Sequence, residues 1–435
     1  MRVAHINVTA TLSTGRVAVG IVHALAENGH KGLVAFSRGY PPGEVPWIRI
    51  GSRWNILYHA FISRITDRAG FMSRFATRRL VRQLLAYSPD MVHLHNLHGY
   101  YLHLPTLFRY LFAANLPVVW TLHDCWPYTG HCAHYTATTR KNHRRPVGSR
   151  TARGCYRWKS GCGHCPLKHA YPKSLLLDQS ARNWREKRSL IRSLNNLTLV
   201  APSRWLQKEV QQSFLQDYSL RVFPSGIDLS IFKRCENENF IAFMTSKHYI
   251  GKRLGQRKML LGVGSAWKGN KGLSDFIQLA SIVDSSRYFI VLVGLTSWQL
   301  ERLPESILGI GRIDSVPELC ALYTIASLYI TLSHEETMGF TLLEAMACGT
   351  QVLCYQTTAL PELITDKVGS FVPAGDLNAV AAEVERLCGS PKSATDCRSH
   401  AEGYDKRSRF QEYIKLYEEL LSPSSAKEKN QAITR

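Results

Sequence analysis

The chain has 435 residues and a formal charge of +21, from 54 Lys and Arg against 33 Asp and Glu. At about 150 residues per domain this length implies two or three domains, each with its own core, and it excludes a small disulfide-stapled scaffold. Apolar and charged fractions of 45% and 20% are ordinary globular values and exclude wholesale disorder. The excess of cations points to an anionic partner, whether nucleic acid, membrane surface or a phosphorylated small molecule. No apolar run approaches the ~20 residues needed to cross a bilayer, and the N-terminus lacks the apolar stretch of a signal peptide. A cytoplasmic protein is therefore expected. The eleven cysteines are odd in number and lie mostly in apolar segments, which fits reduced thiols better than a secreted disulfide framework.

Read in chain order, Val3 to Val8 predicts a strand, Arg16 to Asn28 a helix and Gly32 to Phe36 a second strand, a βαβ start with a parallel sheet. A helix over Phe75 to Ala86 and strands at Met91 to Leu94, Val118 to Leu122 and Leu197 to Val200 continue the pattern. Between residues 128 and 187 the rhythm breaks into a Cys-, His-, Arg- and Gly-rich stretch that reads as an insertion rather than core. A second series starts with strand Met259 to Gly264 and helix Leu273 to Ile282, followed by strand Tyr288 to Val293 and helix Val316 to Thr324. Strand Leu328 to Leu332, helix Phe340 to Ala347, strand Gln351 to Cys354 and helix Leu377 to Cys388 complete it. The predicted organisation is one doubly wound domain over 1–230, a second over 231–405, a helix over 406–421 that packs back on the first domain, and a tail over 422–435. Two doubly wound α/β domains would bind ligands beyond the carboxyl ends of their strands, in the cleft between them.

The segment SHEETMGFTLLEAMACGTQVLCY, residues 333–355, is the most informative. A strand ends, Gly339 follows, and a helix begins whose first amides, at Gly339, Phe340 and Thr341, would face a phosphate. Glu336 in the loop and Glu344 within the helix bracket that position. Glu335 beside them reads as a solvated loop charge. Gly15 in LSTGR opens the first helix, His123 and Asp124 follow a strand in TLHDCW, and Lys268 and Lys271 in KGNKG precede a second-domain helix.

In this order along the chain, the glycine loop, PDMVHLHN (89–96), HD (123–124), PSGID (224–228), NKG (270–272) and E-x-x-G-F-T-L-L-E-A-M-A-C-G (336–349) resemble the retaining glycosyltransferases of family 4. WTLHDCWPYTGHCAHY with the GC and GCGHCP segments resembles the bacterial exopolysaccharide enzymes, including colanic-acid-type transferases. The resemblance implies the GT-B fold, two Rossmann-like domains facing across a cleft, and a nucleotide-diphospho-sugar donor in the C-terminal domain. It assigns Glu336 to the donor sugar, Glu344 to the ribose, Lys271 and the amides around Gly339 to the diphosphate, and His123 to the reacting carbon. Gly15 would let the first helix approach the donor phosphate or the acceptor. The implied acceptor is a polyprenyl-diphosphate-linked glycan, used at the cytoplasmic face of the plasma membrane in surface polysaccharide synthesis. The implied transfer needs no catalytic cofactor or metal, and no Asp-x-Asp occurs in the chain. Two departures stand out: Ala266 replaces the Arg usually five residues before the motif Lys, which makes Lys268 the candidate second cation, and Thr358-Ala359 replaces the customary Gly-Gly before Pro-Glu.

Cys132, Cys155, Cys162 and Cys165 supply the ligand count of a structural tetrahedral zinc. From Arg53 to Arg82 seven arginines are interleaved with Trp54, Ile56, Leu57, Phe61, Ile65, Phe71, Met72 and Phe75, a basic amphipathic surface suited to an anionic leaflet; the insertion adds Arg140, Lys141, Arg144, Arg145, Arg150 and Arg153. Two readings compete: a zinc-containing nucleic-acid-binding protein, which leaves the 336–349 motif idle and is not expected, and a nucleotide-sugar 2-epimerase of related fold.

Overall fold

The computed structural model describes residues 1–40, 43, 45–136, 154–247, 250–264, 267 and 269–422. Lys268, Ala266 and the six basic residues at 140–153 lie outside the described residues. The described chain forms two compact units, one of residues up to 136 with 154–224 and 407–422, the other of 225–406.

In the first unit β1 (Arg2–Ile6), β2 (Lys31–Phe36), β3 (Trp47–Arg49), β4 (Met91–Leu94), β5 (Val118–Thr121), β6 (Leu197–Ala201) and β7 (Ser219–Val222) form one parallel sheet in the order β3-β2-β1-β4-β5-β6-β7. In the second, β8 (Lys258–Val263), β9 (Tyr288–Val293), β10 (Ile307–Ile310), β11 (Leu328–Thr331), β12 (Val352–Tyr355) and β13 (Gly369–Val372) form a parallel sheet in the order β10-β9-β8-β11-β12-β13. Both are Rossmann-like doubly wound sheets. The strand order reverses direction between β1 and β4 and between β8 and β11, the two positions where such sheets open a crevice for ligands. Central strands such as β4, β5, β9 and β12 are buried along their whole length, because helices cover both faces.

The helix Lys406–Leu421 belongs to the first unit from residue 407 onward. It buries Phe410, Tyr413, Ile414, Leu416 and Tyr417. Phe410 lies over Gly20 of the helix Leu12–Glu27, where an added Cβ would come within 2.2 Å of the ring.

Two expectations change. Residues 128–187 are not a mere insertion: Tyr128, Tyr135 and Trp158 are buried in the first unit's core, their rings 4.9 to 6.3 Å apart, and the segment ends in the helix Ser180–Arg192. Large aromatic side chains supply enough apolar area to make a loop-rich stretch part of the core. Arg53 to Arg82 is not one continuous helix but two, Arg53–Thr66 and Arg74–Tyr87. The first ends at Asp67, whose left-handed backbone at φ 57° stops it, and Asp67 is buried because His131 and the amide of Gln179 hold its carboxylate. Among the described residues no helix is long and apolar enough to cross a membrane.

Candidate active site

In the second unit the site is built around the carboxyl end of β11. Gly272 has φ 76°, and a Cβ there would lie 2.1 Å from the Leu332 carbonyl oxygen, so only glycine lets the turn Gly269–Lys271 press against this strand end. The contact is sealed by the His334 amide donating to the Asn270 carbonyl at 2.7 Å. Lys271 is thereby held beside the loop after β11, and its Nζ donates to Glu336 Oε1. Both side chains keep solvent access, 35% for Lys271 and 22% for Glu336, which leaves the pair open to an incoming anion.

The helix Phe340–Ala347 starts at Gly339, which has φ 98° and is packed against Leu360 and Leu363. The structure therefore brings Lys271, Glu336, Gly339, Phe340, Thr341 and Glu344 into one strand-end loop and the helix that follows it. Glu344, one turn into the helix, is buried at 7% exposure and accepts the Tyr323 hydroxyl at 3.0 Å. Glu335 is not solvated, as expected from its loop position, but buried at 1% exposure, because the loop folds inward over Ser333 and Asn270. Behind this turn, Asp275 accepts from the Tyr355 hydroxyl and pairs with His334, both at 2.9 Å. Burial alone would raise the Asp275 carboxyl, but these partners bring it below its usual value.

Thr358, where the resemblance leads one to expect glycine, adopts φ 47°, a left-handed conformation unfavourable for a β-branched residue. Its hydroxyl accepts the Glu336 amide at 2.9 Å and donates to the Glu336 carbonyl at 2.7 Å. The threonine thus clamps the backbone of the very residue that faces Lys271. Sequence reasoning also missed a cleft of about 660 Å³ at the end of β10, lined by Ile310, Gly311, Arg312, Ile313, Asp314 and Ser315. Its signal was the glycine pair at 309 and 311 ahead of Ser315, which caps the next helix through the Glu318 amide.

In the first unit Gly15 lies in the helix Leu12–Glu27, where a Cβ would meet the Ala10 carbonyl carbon at 2.5 Å; the glycine brings that helix onto the loop after β1. His123 follows β5 and is half-buried. Its Nε2 lies 3.0 Å from His95 Nδ1, and His95 Nε2 lies 3.1 Å from His5 Nδ1. His5 faces His93 in the β1–β4 ladder. Burial pushes His5 down to about 3 and His123 to about 4, and holds His93 and His95 well below the usual histidine range, so all four rings are neutral at pH 7. Next to His123, Asp124 pairs with His98 Nε2 at 2.5 Å, and His98 Nδ1 meets the Tyr171 hydroxyl at 3.1 Å. Burial would raise Asp124, but the His98 partner outweighs it and brings the carboxyl below its usual value.

The four cysteines of the expected zinc site lie in unlike surroundings. Cys132 is drawn into the aromatic core, whereas Cys155, Cys162 and Cys165 are half-buried. Cys162 Sγ is taken by the Gly130 amide at 3.1 Å, and burial pushes its thiol up to about 11 and that of Cys165 to about 12. Among the described residues the cysteines join no group of three potential ligands placed to hold one ion; the group with such spacing is His5, His93 and His95.

Two family models match the chain, one described as glycosyltransferase family 4 over residues 14–231 and one as glycosyl transferases group 1 over 251–404. A glycosyl transferase ascribed to colanic acid biosynthesis in Escherichia coli is 30% identical over 152 residues, 33% of this chain and 32% of that protein. The alpha-monoglucosyldiacylglycerol synthase of Streptococcus pneumoniae is 26% identical over 196 residues, 42% of this chain and 44% of the synthase. These matches thus span less than half the length of either relative. Anabaena HepE, solved with UDP-glucose, superposes with a TM-score of 0.63 over 96% of this chain and all of HepE at 15% identity, a likeness of fold.

Two predictions follow from the geometry. Thr358→Val keeps the strained backbone and loses both hydroxyl bonds, so urea unfolding of the second unit should show a loss of about 1–3 kcal/mol, whereas Thr358→Gly, which also relieves the strain, should lose less. Histidines kept neutral in the fold take up protons on unfolding, so stability is complete above pH ~6.5 and declines as pH falls toward 4. Depressed carboxylates such as Asp124 and Asp275 stay ionised through that window, so the melting temperature between pH 7 and 5 should fall with net proton uptake on unfolding; a flat profile would contradict the burial of these rings.

Proposed function

The chain belongs to glycosyltransferase family 4, with the GT-B fold, and from that premise we propose that it moves a hexosyl or related sugar from a nucleotide-diphospho-sugar to a glycan acceptor. The observation that carries this reading is the loop after β11. There a half-exposed Lys271, a glycine-started helix and two carboxylates, Glu336 and Glu344, converge in one unit. A diphosphate fits the Lys271 ammonium and the amides at Gly339 to Thr341. Glu336 then exchanges its lysine partner for a sugar hydroxyl, and Glu344 accepts from the ribose. The cleft beyond β10 offers the nucleoside room on the same strand-end edge. UDP and glucose are the first components to test, since the structurally similar HepE was solved with UDP-glucose.

Transfer with retained configuration has the acceptor hydroxyl attack the anomeric carbon on the face the diphosphate leaves. The new C–O bond forms as the bond to the diphosphate breaks, and the hydroxyl proton passes to a departing phosphate oxygen. Lys271 and the helix start stabilise the charge that develops on the leaving group, so no metal is required. His123, neutral and close to the first unit's strand ends, serves the reacting sugar. The epimerase and nucleic-acid readings find no support in the similarities above.

The acceptor we propose is lipid-linked, on a polyprenyl diphosphate, in surface polysaccharide synthesis with the protein peripheral to the inner membrane face. Support comes from the helix Arg53–Thr66, which exposes Trp54, Leu57, Tyr58 and Phe61 at helical spacing. Backbone bonds from Leu175 to Arg64 and from Leu177 to Ile65 add exposed Leu175, Leu176 and Leu177 at its end. Arg53 and Arg64 on this helix and Arg74, Arg78, Arg79 and Arg82 on the next are exposed. Apolar side chains ringed by cations suit an anionic leaflet.

Titration calorimetry with UDP-glucose and related nucleotide sugars tests the donor site. Glu344→Gln and Lys271→Ala should each weaken binding about 10- to 100-fold, as expected for losing one charge-assisted hydrogen bond, and Glu336→Ala should cut turnover further. Unchanged affinity in the first two would move the donor site elsewhere. Binding to anionic vesicles should fall steeply with added salt and be lost in a Trp54→Ser, Phe61→Ser double variant; wild-type protein that ignores such vesicles at low salt would remove the membrane from this reading.

A further inference from the structure

The segment that follows β12 grips the loop that follows β11. The two strands are neighbours in the second unit's sheet, so their carboxyl ends open side by side. Thr357 donates its hydroxyl to the Ser333 carbonyl at 2.9 Å. Thr358 Oγ1 accepts the Glu336 amide at 2.9 Å and donates to the Glu336 carbonyl at 2.7 Å, and the Ala359 amide reaches that same carbonyl at 3.3 Å. The amide and the carbonyl of Glu336 lie on either side of its φ and ψ, so holding both fixes the direction in which its side chain leaves the backbone.

A hydroxyl carries one donor and free lone pairs, and can therefore accept from the N–H and donate to the C=O of one residue at once. Serine shares this property, whereas valine has threonine's shape without it. The backbone of Thr358 stands at φ 47°, which glycine would adopt without strain. Strain of this kind persists where the surroundings over-determine it, and it gathers at functional sites. What threonine supplies here and glycine lacks is the hydroxyl.

The residue so held is the partner of Lys271, whose Nζ donates to Glu336 Oε1 across a partly solvated pair. A glutamate on an unbraced loop would follow its cation when an anion draws the lysine away. With its main chain tied to Thr358, Glu336 keeps its place. We propose that Thr358 is a positioning residue: its hydroxyl fixes the main chain of Glu336, so that the carboxylate stays aimed at the transferred sugar while Lys271 turns to the diphosphate. The inference rests on the reading of Glu336 as the residue that meets that sugar. It gives the loop after β11 its working shape before any ligand arrives.

Amide hydrogen exchange resolved at Glu336 and turnover of UDP-glucose, both measured on the full chain, test this. The Glu336 amide should be protected in the free protein and equally so with UDP bound; protection lost on binding UDP overturns the proposal. Thr358→Val, and Thr358→Gly, which also relieves the strain, should each speed exchange at that amide and lower kcat roughly 10- to 100-fold, as expected for a misplaced reacting group. Thr358→Ser should restore both. UDP carries no sugar, so its affinity should match wild type in every Thr358 variant. Added to Glu336→Ala, Thr358→Val should cost no further turnover, because the two residues act as a unit; independent, additive losses would assign the threonine to stability alone and overturn its positioning role. Exchange at Glu336 that ignores both Thr358→Val and Thr358→Gly overturns the proposal whatever nucleotide sugar the protein uses. The two readings fail separately. Wild-type turnover in Glu336→Ala removes Glu336 from the transfer site while exchange still reports the clamp, whereas a slow Glu336→Ala beside full-rate Thr358→Val and Thr358→Gly overturns the role of the threonine alone.

Discussion

Parallel pairing is the constraint on which everything else in this protein depends. With every strand of a sheet running the same way, all carboxyl ends fall on one edge, and each crossover must return along a face. The central strands are thus sealed from water on both sides, and solvated polar groups fall where strands stop. In the second unit the meeting of β8 and β11 gathers Lys271 and Glu336, and in the first the meeting of β1 and β4 gathers the histidines. Chemistry is concentrated at these edges because the backbone leaves it few other places.

The electrostatics of the two edges differ in kind. At the second unit's edge the Lys271–Glu336 pair is partly solvated, and such a pair contributes little to stability. It is therefore inexpensive to break, which suits the exchange of partners proposed for these two groups. At the first unit's edge His5, His93, His95 and His123 are neutral and largely buried, held by ring-to-ring bonds and by Tyr417 of the last helix. There the arrangement resists rearrangement, since any displaced ring would leave a buried nitrogen unpaired.

Much of this was legible in the sequence. Short apolar runs ending in polar loops gave the central strands of both sheets, and Gly339 with the flanking glutamates marked the loop proposed as the second unit's site. The strands that escaped, β3, β7, β10 and β13, are three or four residues long, and each is partly exposed, so none carries a continuous apolar run. The core role of Tyr128, Tyr135 and Trp158 was masked by the cysteines and cations around them. Glu335 and Glu336 are adjacent and chemically alike; which one turns inward depends on contacts from Asn270 and Thr358, distant in sequence. The histidine chain was hidden for the same reason: His5, His95 and His123 come from three separate segments, and only the strand order brings them into line.

The helix Lys406–Leu421 has a consequence for how the chain acquires its structure. Tyr413 and Tyr417 reach Thr121 and His93, and Phe410 covers Gly20, yet roughly 180 residues of the second unit are translated between β7 and this helix. Emerging from the ribosome, the first unit waits with an uncovered apolar face and an unsatisfied His93 until the second unit has been made. The second unit, contiguous over 225–406, needs no such wait and can close first. Of the two units, the one made first is thus the one that finishes folding last, and for that interval its open face is in need of a chaperone.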